Sequence, residues 1–550
     1  MVLLIACANV ATLLLARAKS RQKEIGVRLA IGASRARIIR QLLTESVLLS
    51  MCGGVCGFLF VYWGARALLA VMVGARQIGQ LNVTPDTTVL LFTAAVSLAS
   101  GVLFGLAPAF RASRSGLAHQ LTETAAATTP RHRLAKVLVA SQIALSVVLL
   151  FGAGLFVRTL RNLNGQQLGF EREDLLLFEV APDRSGYVGA RGIALHNQLR
   201  ERIERLSGVR SVTFSEFALL TGWSNSSPGT TDRGPLTPPG QPDSVYYNRV
   251  GPRFFETMGV RVLLGRGIQQ SDTDIGRPTA VVNESLARAC SPNENPVGHR
   301  ISVGLSFNPQ KSYEIIGVVK DAKYDRMREA PPRTVYLSYG TTWDRTRRMC
   351  FAVRAVSDPL AITASVREAI RDAEPKLPLF NVRTQREQIQ EALGQERMMA
   401  DISSCFGALA LLLVAIGIYG TLFYAVTQRT GEIGIRVALG APKVGVVWMI
   451  LRESLAVAAL GLAVGLPVAL ASSRLAASIL FGVSPHDGVT LIASAALLAA
   501  IAIFSALAPA SRGRESIRSA RCVTSESQRI AQAFLFHFCS VKKSILGVAW

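Results

Sequence analysis

A ten-residue stretch occurs twice in this chain, and the duplication limits the possible folds more than any other feature. The first copy, Glu24 to Ala33, is EIGVRLAIGA, and the second, Glu432 to Ala441, is EIGIRVALGA. In each copy a Glu and an Arg stand four positions apart on one helix face, beside an apolar face. Basic clusters and apolar spans flank both copies. The pattern predicts two equivalent amphipathic helices on one membrane face; we call them the elbow segments.

The two copies keep the same register beyond the elbow segments. Glu45 with Ser46 recurs as Glu453 with Ser454. Pairs of glycines four positions apart also recur, and small residues at this spacing let membrane helices approach closely. We predict helix packing at Gly53, Gly57, Gly461 and Gly465. A single copy would fit a charged connection between two helices equally well, but the shared register favours a repeated module of several membrane helices.

Composition places the chain in a membrane. Half of its 550 residues are hydrophobic, and the mean hydropathy is +0.32. A net charge of +23 could indicate nucleic-acid binding, but Lys and Arg stand mostly in short segments beside the apolar runs. We therefore expect a lipid bilayer, and no nucleic acid, among the partners.

Seven apolar runs approach the ~20 residues that a helix needs to cross a bilayer. The first run, 2–16, lacks the basic lead-in and cleavage site of a signal peptide, so we interpret it as a membrane helix whose beginning is missing. The predicted segments are 1–112, an incomplete first helix module; 113–133, a cytoplasmic linker; 134–160, the first helix of the second module; 161–397, an outer domain; 398–512, three further spans; and 513–550, a basic, disordered tail.

Residues 161–397 have the mixed polar pattern of an α+β domain. Two βαβ pieces, 175–214 and 349–382, predict a ferredoxin-like sheet. Four strands between them, at 246–249, 279–283, 313–319 and 334–339, predict a mainly β insert. Thr384 and Glu387 have the spacing of a capping box that begins a helix. The predicted fold class is an α-helical multi-pass membrane protein, with two helix modules, that carries this α+β domain.

The basic segments predict the orientation of the chain. Segments 17–40, 111–133, 429–452 and 512–521 fall on one side of the membrane if the spans alternate, and all are rich in Lys and Arg. Such segments stay in the cytoplasm. The elbow segments are therefore predicted to be cytoplasmic, and the α+β domain is predicted to lie outside.

Motifs for chemistry are absent from the sequence. No G-x-x-x-x-G-K-[ST], H-E-x-x-H or G-x-S-x-G pattern occurs, so we predict no catalytic, cofactor-binding or metal-binding residues and no enzyme activity. Glu45 and Glu453 are predicted to lie near the membrane surface, where a functional role and a solvated or ion-paired structural role are both open. Cys290 and Cys350 alone could pair outside the membrane, and whether they do is left open.

Several longer motifs resemble the MacB/FtsX superfamily of ABC-transporter permeases, most closely its duplicated orphan permeases, which carry no fused ATPase. The motifs are ACANVATLLLAR at 6–17, both elbow segments, FFETMG at 254–259, GRG at 265–267, VVNE at 281–284 and IIGVV at 315–319. The similarity extends over nearly all of the chain to about Arg512.

The resemblance implies a bacterial inner-membrane permease for export or efflux, with a periplasmic porter domain plus insert. A separate cytoplasmic ABC ATPase would bind the elbow segments and transmit force through them, and a periplasmic adaptor or outer-membrane component is a further possible partner. The residues implied in ATPase coupling are Glu24, Arg28, Gly32, Glu432, Arg436 and Gly440.

The chain departs from this family at both ends. The first module lacks its first helix and its own periplasmic domain, so we expect an N-terminal truncation. The usual Asp-Pro-containing ending is missing after about Gly513. An alternative within the same resemblance is a non-transporting FtsX-like scaffold that regulates a cell-wall enzyme.

Overall fold

A computed structural model of the chain describes residues 1–20, 28, 31, 34–73, 87–114, 129–236, 244–274, 278–291, 294–340, 348–428, 443–484 and 486–515. The chain divides into two compact units. The first, which we call the membrane unit, combines Met1–Thr159 with Met398–Trp550. The second, which we call the α+β unit, is Leu160–Arg397.

The described helices differ in length between the units. They are α1 Val2–Ser20, α2 Arg35–Val73, α3 Thr87–Arg114, α4 Thr129–Asn164, α5 Ala190–Glu204, α6 Phe254–Met258, α7 Gln270–Asp274, α8 Glu284–Cys290, α9 Thr363–Ala373, α10 Gln385–Ala392, α11 Gly394–Gln428, α12 Lys443–Leu475 and α13 Gly488–Glu515. Two short 3₁₀ helices lie at Pro182–Ser185 and Pro309–Lys311.

All described strands belong to the α+β unit. They are β1 Leu175–Val180, β2 Val209–Ser215, β3 Asn225–Thr231, β4 Gly234–Pro235, β5 Ser244–Val250, β6 Val262–Gly265, β7 Thr279–Asn283, β8 Arg300–Val303, β9 Ser312–Val319, β10 Thr334–Ser338, β11 Met349–Ala355 and β12 Leu379–Thr384.

Within the described residues, five helices are long and apolar enough to cross a membrane. The qualifying segments are Ala36–Leu59, Lys136–Asn164, Gly394–Phe423, Leu451–Leu475 and Gly488–Ala506. They coincide with five of the seven predicted spans. The other two predicted spans fall on α1, which is a 19-residue helix, and on α3, whose apolar stretch is Leu90–Ala99.

The second helix module has a core formed by four helices. Buried side chains from α4, α11, α12 and α13 pack together; they include Ile143, Val147, Phe151, Val414, Ile418, Leu498 and Ala502. In the first module α3 lies against both α1 and α2. The apolar runs that predict the membrane helices therefore also supply side chains that pack between them.

Four strands of the α+β unit form an antiparallel sheet in the order β12-β1-β11-β2. Helices α5 and α9 cross between its outer and inner strands, and one buried core joins Leu195 and Leu199 of α5, Val366 and Ile370 of α9, and Phe351 of the sheet. This β-α-β-insert-β-α-β order is the ferredoxin-like arrangement. The sequence prediction of a ferredoxin-like sheet is confirmed, as is the capping box at Thr384 and Glu387.

The insert between β2 and β11 forms a closed ring of six strands, which we call the ring lobe. Each of β5, β10, β7, β9, β8 and β3 pairs with the next, and β3 pairs back with β5. Its interior holds Val245, Val282, Ile301, Ile315 and Val335, all fully or almost fully buried. Closure leaves the ring without a free edge, which is the usual way to protect a small sheet.

Candidate functional site

The elbow segments were the first candidate site, and they fall almost entirely outside the described residues. Glu24, Gly32, Glu432, Arg436 and Gly440 all lie there. Arg28 is described: its side chain is exposed, and its Nη1 donates to Gln41 Oε1 of α2 at 3.2 Å. The bond ties the middle of the first elbow segment to the helix that follows it. A role of the six residues in ATPase coupling stays a prediction.

The glycines of α12 lie in direct contact with α4. A Cβ added at Gly461 would stand 2.7 Å from Ala140 O, and one added at Gly465 would stand 2.8 Å from Ala144 Cα. Ala140 and Ala144 stand four positions apart, as do the two glycines. The small faces of the two helices therefore meet backbone to backbone, with no room for a side chain at either glycine.

Two ion pairs tie the ends of α4 to the same module. Lys136 Nζ lies 2.7 Å from Glu453 Oε1 of α12 near one end, and Arg158 Nη1 lies 2.5 Å from Asp487 Oδ2 near the other. Glu453 is therefore ion-paired, which was one of the two roles left open for it. We call the α12–α13 surface that receives α4, between these pairs, the α4 seat.

Asp487 also caps α13. Its carboxylate accepts hydrogen bonds from the backbone N–H of Thr490, at 3.0 Å, and from the Thr490 hydroxyl. Burial raises the pKa of Asp487, but the hydrogen bonds from Thr490 and Arg158 outweigh burial and hold this pKa below its usual value. An ionised Asp487 thus joins the start of α13 to α4.

The equivalent glycines of α2 are open. Gly53 and Gly57 are exposed, and no atom stands within 4 Å of a Cβ added at either. The contact between α2 and α3 uses other small residues: a Cβ at Gly54 would stand 2.5 Å from Ser97 Oγ, and one at Gly101 would stand 3.1 Å from Val47 Cα. Helix packing at Gly53 and Gly57 stays a prediction.

Within the α+β unit, the segment that follows α4 is held by the ring lobe and its neighbours. Lys323 N donates to Leu168 O at 2.8 Å, and Glu171 N donates to Met258 O at 2.9 Å. Arg354 of β11 is buried and reaches both sides, because its Nε donates to Thr257 O at 2.8 Å and its Nη1 lies 2.9 Å from Glu171 Oε2. The segment is thereby fixed to α6 and to the sheet.

The segment that leads into α11 is held by two loops of the same unit. Gln388 Nε2 of α10 donates to Leu220 O at 2.7 Å, and Arg328 Nε lies 2.7 Å from Glu396 Oε1 of α11. The two loops are joined in turn, since Leu220 N donates to Tyr324 O at 2.8 Å. We call Leu219–Leu220 and Asp321–Arg328 the junction loops.

One of the junction loops, Asp321–Arg328, contacts both connecting segments. Its Lys323 binds Leu168, and its Arg328 binds Glu396. Leu220 has a φ of +64°, a left-handed conformation that is rare for a branched side chain. Such strain is retained where surrounding contacts enforce it, often at moving or binding segments.

Burial shifts the pKa of several side chains in the α+β unit. His196 Nδ1 lies 2.7 Å from the Tyr339 hydroxyl among the rings of Phe214 and Phe351, and burial lowers the pKa of this imidazole to about 3. Cys290 and Cys350 are free thiols, and burial raises the pKa of each to about 12. No cluster of three or more His, Cys, Asp or Glu that could hold a metal occurs among the described residues.

Sequence reasoning missed the α4 seat pairs and the junction loops. Lys136 and Arg158 carried a signal, since each stands at one end of a predicted span, and Asp487 precedes a helix as a cap residue does. Gln388 and Leu220 carried none, because a bond between residues so distant along the chain depends on the tertiary fold.

Comparison with known families agrees with this architecture. A model of the MacB-like periplasmic core domain matches residues 137–373. A model of the FtsX-like permease C-terminal domain matches twice, at residues 1–117 and 404–516. The chain belongs to the MacB/FtsX superfamily of permeases. The double match also confirms the two helix modules that the repeated elbow segments predict.

Curated relatives include two proteins named macrolide export ATP-binding/permease protein MacB. The one from Aggregatibacter actinomycetemcomitans is 26% identical over 38% of this chain and 33% of its own length. The one from Bdellovibrio bacteriovorus is 24% identical over 60% of this chain and 51% of its own length. The chain thus spans about a third to a half of these relatives. A crystal structure of the periplasmic region of MacB from Actinobacillus actinomycetemcomitans matches 42% of this chain and 97% of its own, at 18% identity and a TM-score of 0.29.

Proposed function

We propose that this superfamily member is the permease subunit of a MacB-like ABC export system in the bacterial inner membrane. A separate ATPase binds the cytoplasmic elbow segments, and the membrane helices pass its motion to the α+β unit in the periplasm. The observation that carries the proposal is that the segments following α4 and preceding α11 are both bound by the junction loops. Motion at the end of α4 or at the start of α11 therefore reaches the junction loops.

The length of α4 supports this mechanism. Its 36 residues, at ~1.5 Å rise per residue, extend about 54 Å, whereas the hydrocarbon layer is ~30 Å thick. A helix of this length reaches well beyond the layer as one stiff element. The α4 seat holds it near both ends, at Lys136 and Arg158, so a displacement of α12 and α13 moves α4 with them.

The basic clusters that flank the elbow segments support a cytoplasmic ATPase as the partner. The relatives named above carry ATP-binding in their printed names, and the FtsX-like match includes both elbow segments. This chain has no phosphate-binding loop of the G-x-x-x-x-G-K-[ST] type. The proposal therefore places ATP binding on a second subunit that docks by charge and shape on Arg28 and Arg436.

Charge reversal tests the docking. The double variant Arg28→Glu/Arg436→Glu should lower copurification with candidate nucleotide-binding subunits, and stimulation of their ATPase activity, at least tenfold. Arg37→Glu is the matched control, because Arg37 is an exposed arginine of α2 outside the elbow segment, and it should leave both measurements within twofold of the parent. Unchanged binding and ATPase activity in the double variant would refute the docking role.

Cysteine labelling tests the orientation. Leu305, in the ring lobe, is 89% exposed and Ile31, in the first elbow segment, is 81% exposed. A membrane-impermeant maleimide should label Leu305→Cys in intact spheroplasts and Ile31→Cys only after permeabilisation, with the parent protein as the background. Labelling of both variants from the same side would overturn the proposed topology.

A further inference from the structure

Helices α1 and α11 are equivalent members of the duplication, and they meet at an equivalent position. Asn9 stands as far before Glu24 as Gly417 stands before Glu432. By the same count Ile5 corresponds to Leu413. At this equivalent position α1 carries an amide side chain, whereas α11 carries no side chain.

The contact is a hydrogen bond to a helix backbone. Asn9 Nδ2 donates to Leu413 O of α11 at 2.9 Å, and Asn9 is only 6% exposed. A helical carbonyl oxygen has a second lone pair, so it accepts this bond without giving up its own helix bond. In a membrane such a bond joins two helices that apolar contacts alone leave free to slide, because lipid competes equally for apolar surfaces.

Helix α4 adds a second amide at the same atom. Gln142 Nε2 donates to Leu413 O at 2.7 Å, and Gln142 is 1% exposed. The amides of Asn9 and Gln142 therefore share the lone pair that the helix bond leaves on this oxygen. Three helices thus converge on one carbonyl oxygen: α1 of the first module, and α4 and α11 of the second. Asn9 is the member that joins the modules, since Gln142 and Leu413 both belong to the second.

Gly417 makes room for both amides. A Cβ added there would stand 2.5 Å from Asn9 Oδ1 and 2.7 Å from Gln142 Oε1, so both side chains lie over the bare backbone of α11. Any larger residue at this position must push them away. The amide on α1 and the glycine on α11 are therefore complementary.

We propose that Asn9, Gln142 and Gly417 form an interhelical joint that fixes the two helix modules in one register. The joint belongs to the helix bundle and does not depend on the proposed transport function. Since each elbow segment follows one of the two helices, the joint also sets the spacing at which the elbow segments are presented.

Cleavage of the folded full-length protein tests the joint. A protease site is placed in the linker between α3 and α4, the purified protein is cut in detergent, and the fraction of the α1–α3 fragment that stays bound to the remainder is measured. Interhelical hydrogen bonds in membranes are worth ~0.6–1.7 kcal/mol, so Asn9→Leu and Gly417→Ala should each raise the dissociation constant of the cut halves about threefold to twentyfold.

Matched controls and a rescue separate the joint from general destabilisation. Ser141→Ala, at an exposed neighbour of Gln142, and Gly152→Ala, at an open glycine of α4, should bind as the parent does. Gln142→Met should lower the unfolding temperature with a smaller effect on binding of the halves. The exchange Asn9→Gly/Gly417→Asn should restore binding in part, because the amide moved to α11 can then reach the carbonyl of Ile5 on α1.

Two outcomes would overturn the proposal. One is that the halves of Asn9→Leu and of Gly417→Ala stay bound as tightly as those of the parent; the other is that the halves of the parent separate immediately. If either substitution prevents folding, Asn9→Ala, which removes the amide and adds no bulk, is measured in its place and decides by the same criterion.

Discussion

The α12 face with Gly461 and Gly465 and the α2 face with Gly53 and Gly57 have the same small residues at the same spacing, yet their surroundings differ. The α12 glycines lie against the backbone of α4, whereas the α2 glycines have no atom within 4 Å of an added Cβ. Apolar side chains around the α2 face, such as Val55 and Leu59, are exposed as well. A repeated glycine motif therefore predicts where a helix can bind, and a complementary helix with its own small residues decides whether one does.

The largest expected effect is a difference in unfolding free energy between a leucine substitution on the α12 face and one on the α2 face. Gly465→Leu would place a side chain where Ala144 Cα and O stand 2.8 and 2.9 Å from the added Cβ, and backbone atoms cannot give way as a side-chain end can. We expect a loss of about 3 kcal/mol in unfolding free energy. Gly57→Leu should change it by less than about 0.5 kcal/mol. Thermal unfolding in one detergent measures both, and similar losses would contradict the difference between the faces.

The second expected effect is a pH dependence of stability that His196 causes, and it sets the pH range in which the unfolding of the two glycine variants can be compared. The pKa of His196 is about 3 in the folded protein, against an ordinary value of about 6.5, so the unfolded chain binds more protons between these values. Stability of the α+β unit should therefore fall as the pH drops below about 6.5, by about 2 kcal/mol between pH 7 and pH 5. Unfolding at a series of pH values tests this.

The control for the pH dependence is a second histidine. His196→Phe should remove this part of the slope, whereas His486→Phe, at an exposed histidine of the membrane unit, should keep it. A slope that is the same in His196→Phe as in the parent would show that other groups cause it. Above pH 7 the comparison of the glycine faces is free of this contribution.

The smallest expected effect concerns the turns before α13 and α3. Asp487→Ala removes a helix cap and an ion pair that is partly exposed, and should cost about 1–2 kcal/mol. Asp487→Asn keeps the cap and should lower the unfolding free energy by about half as much as Asp487→Ala. Asp86, which lies outside the described residues, precedes α3 in the sequence as Asp487 precedes α13; we expect Asp86→Ala to cost about 1 kcal/mol, the usual value of a cap alone. Equal costs for Asp487→Ala and Asp86→Ala would mean that the α4 ion pair adds nothing.

The periodic elements of this fold were predictable from the sequence. The βαβ pieces around Leu195 and Val366 showed their apolar faces, and the structure buries both residues in one core. Thr384 and Glu387 predicted their helix start because a capping box is local in sequence. Prediction succeeded where the signal spans a few neighbouring residues.

Strands β3 and β8, which complete the ring lobe, were not predicted. β3 reads NSSPGTT and contains Pro228 and Gly229, residues that disfavour strands. Its position is decided by pairing with β5 and β8, which no local pattern shows. The Asn9 joint was hidden for the same reason, since an Asn within an apolar run does not indicate which carbonyl it will meet.

The strand order of the ferredoxin-like sheet determines the timing of its assembly on the ribosome. β1 is an interior strand, paired on one side with β11 and on the other with β12, and both follow the entire ring lobe in the chain. At a synthesis rate of ~5–20 residues per second, β1 waits about 10–30 s for either neighbour. During that interval the nascent chain carries an apolar strand, LLLFEV, with two open edges. Until one of these neighbours has been synthesised, both edges of β1 are open to pairing with a wrong partner.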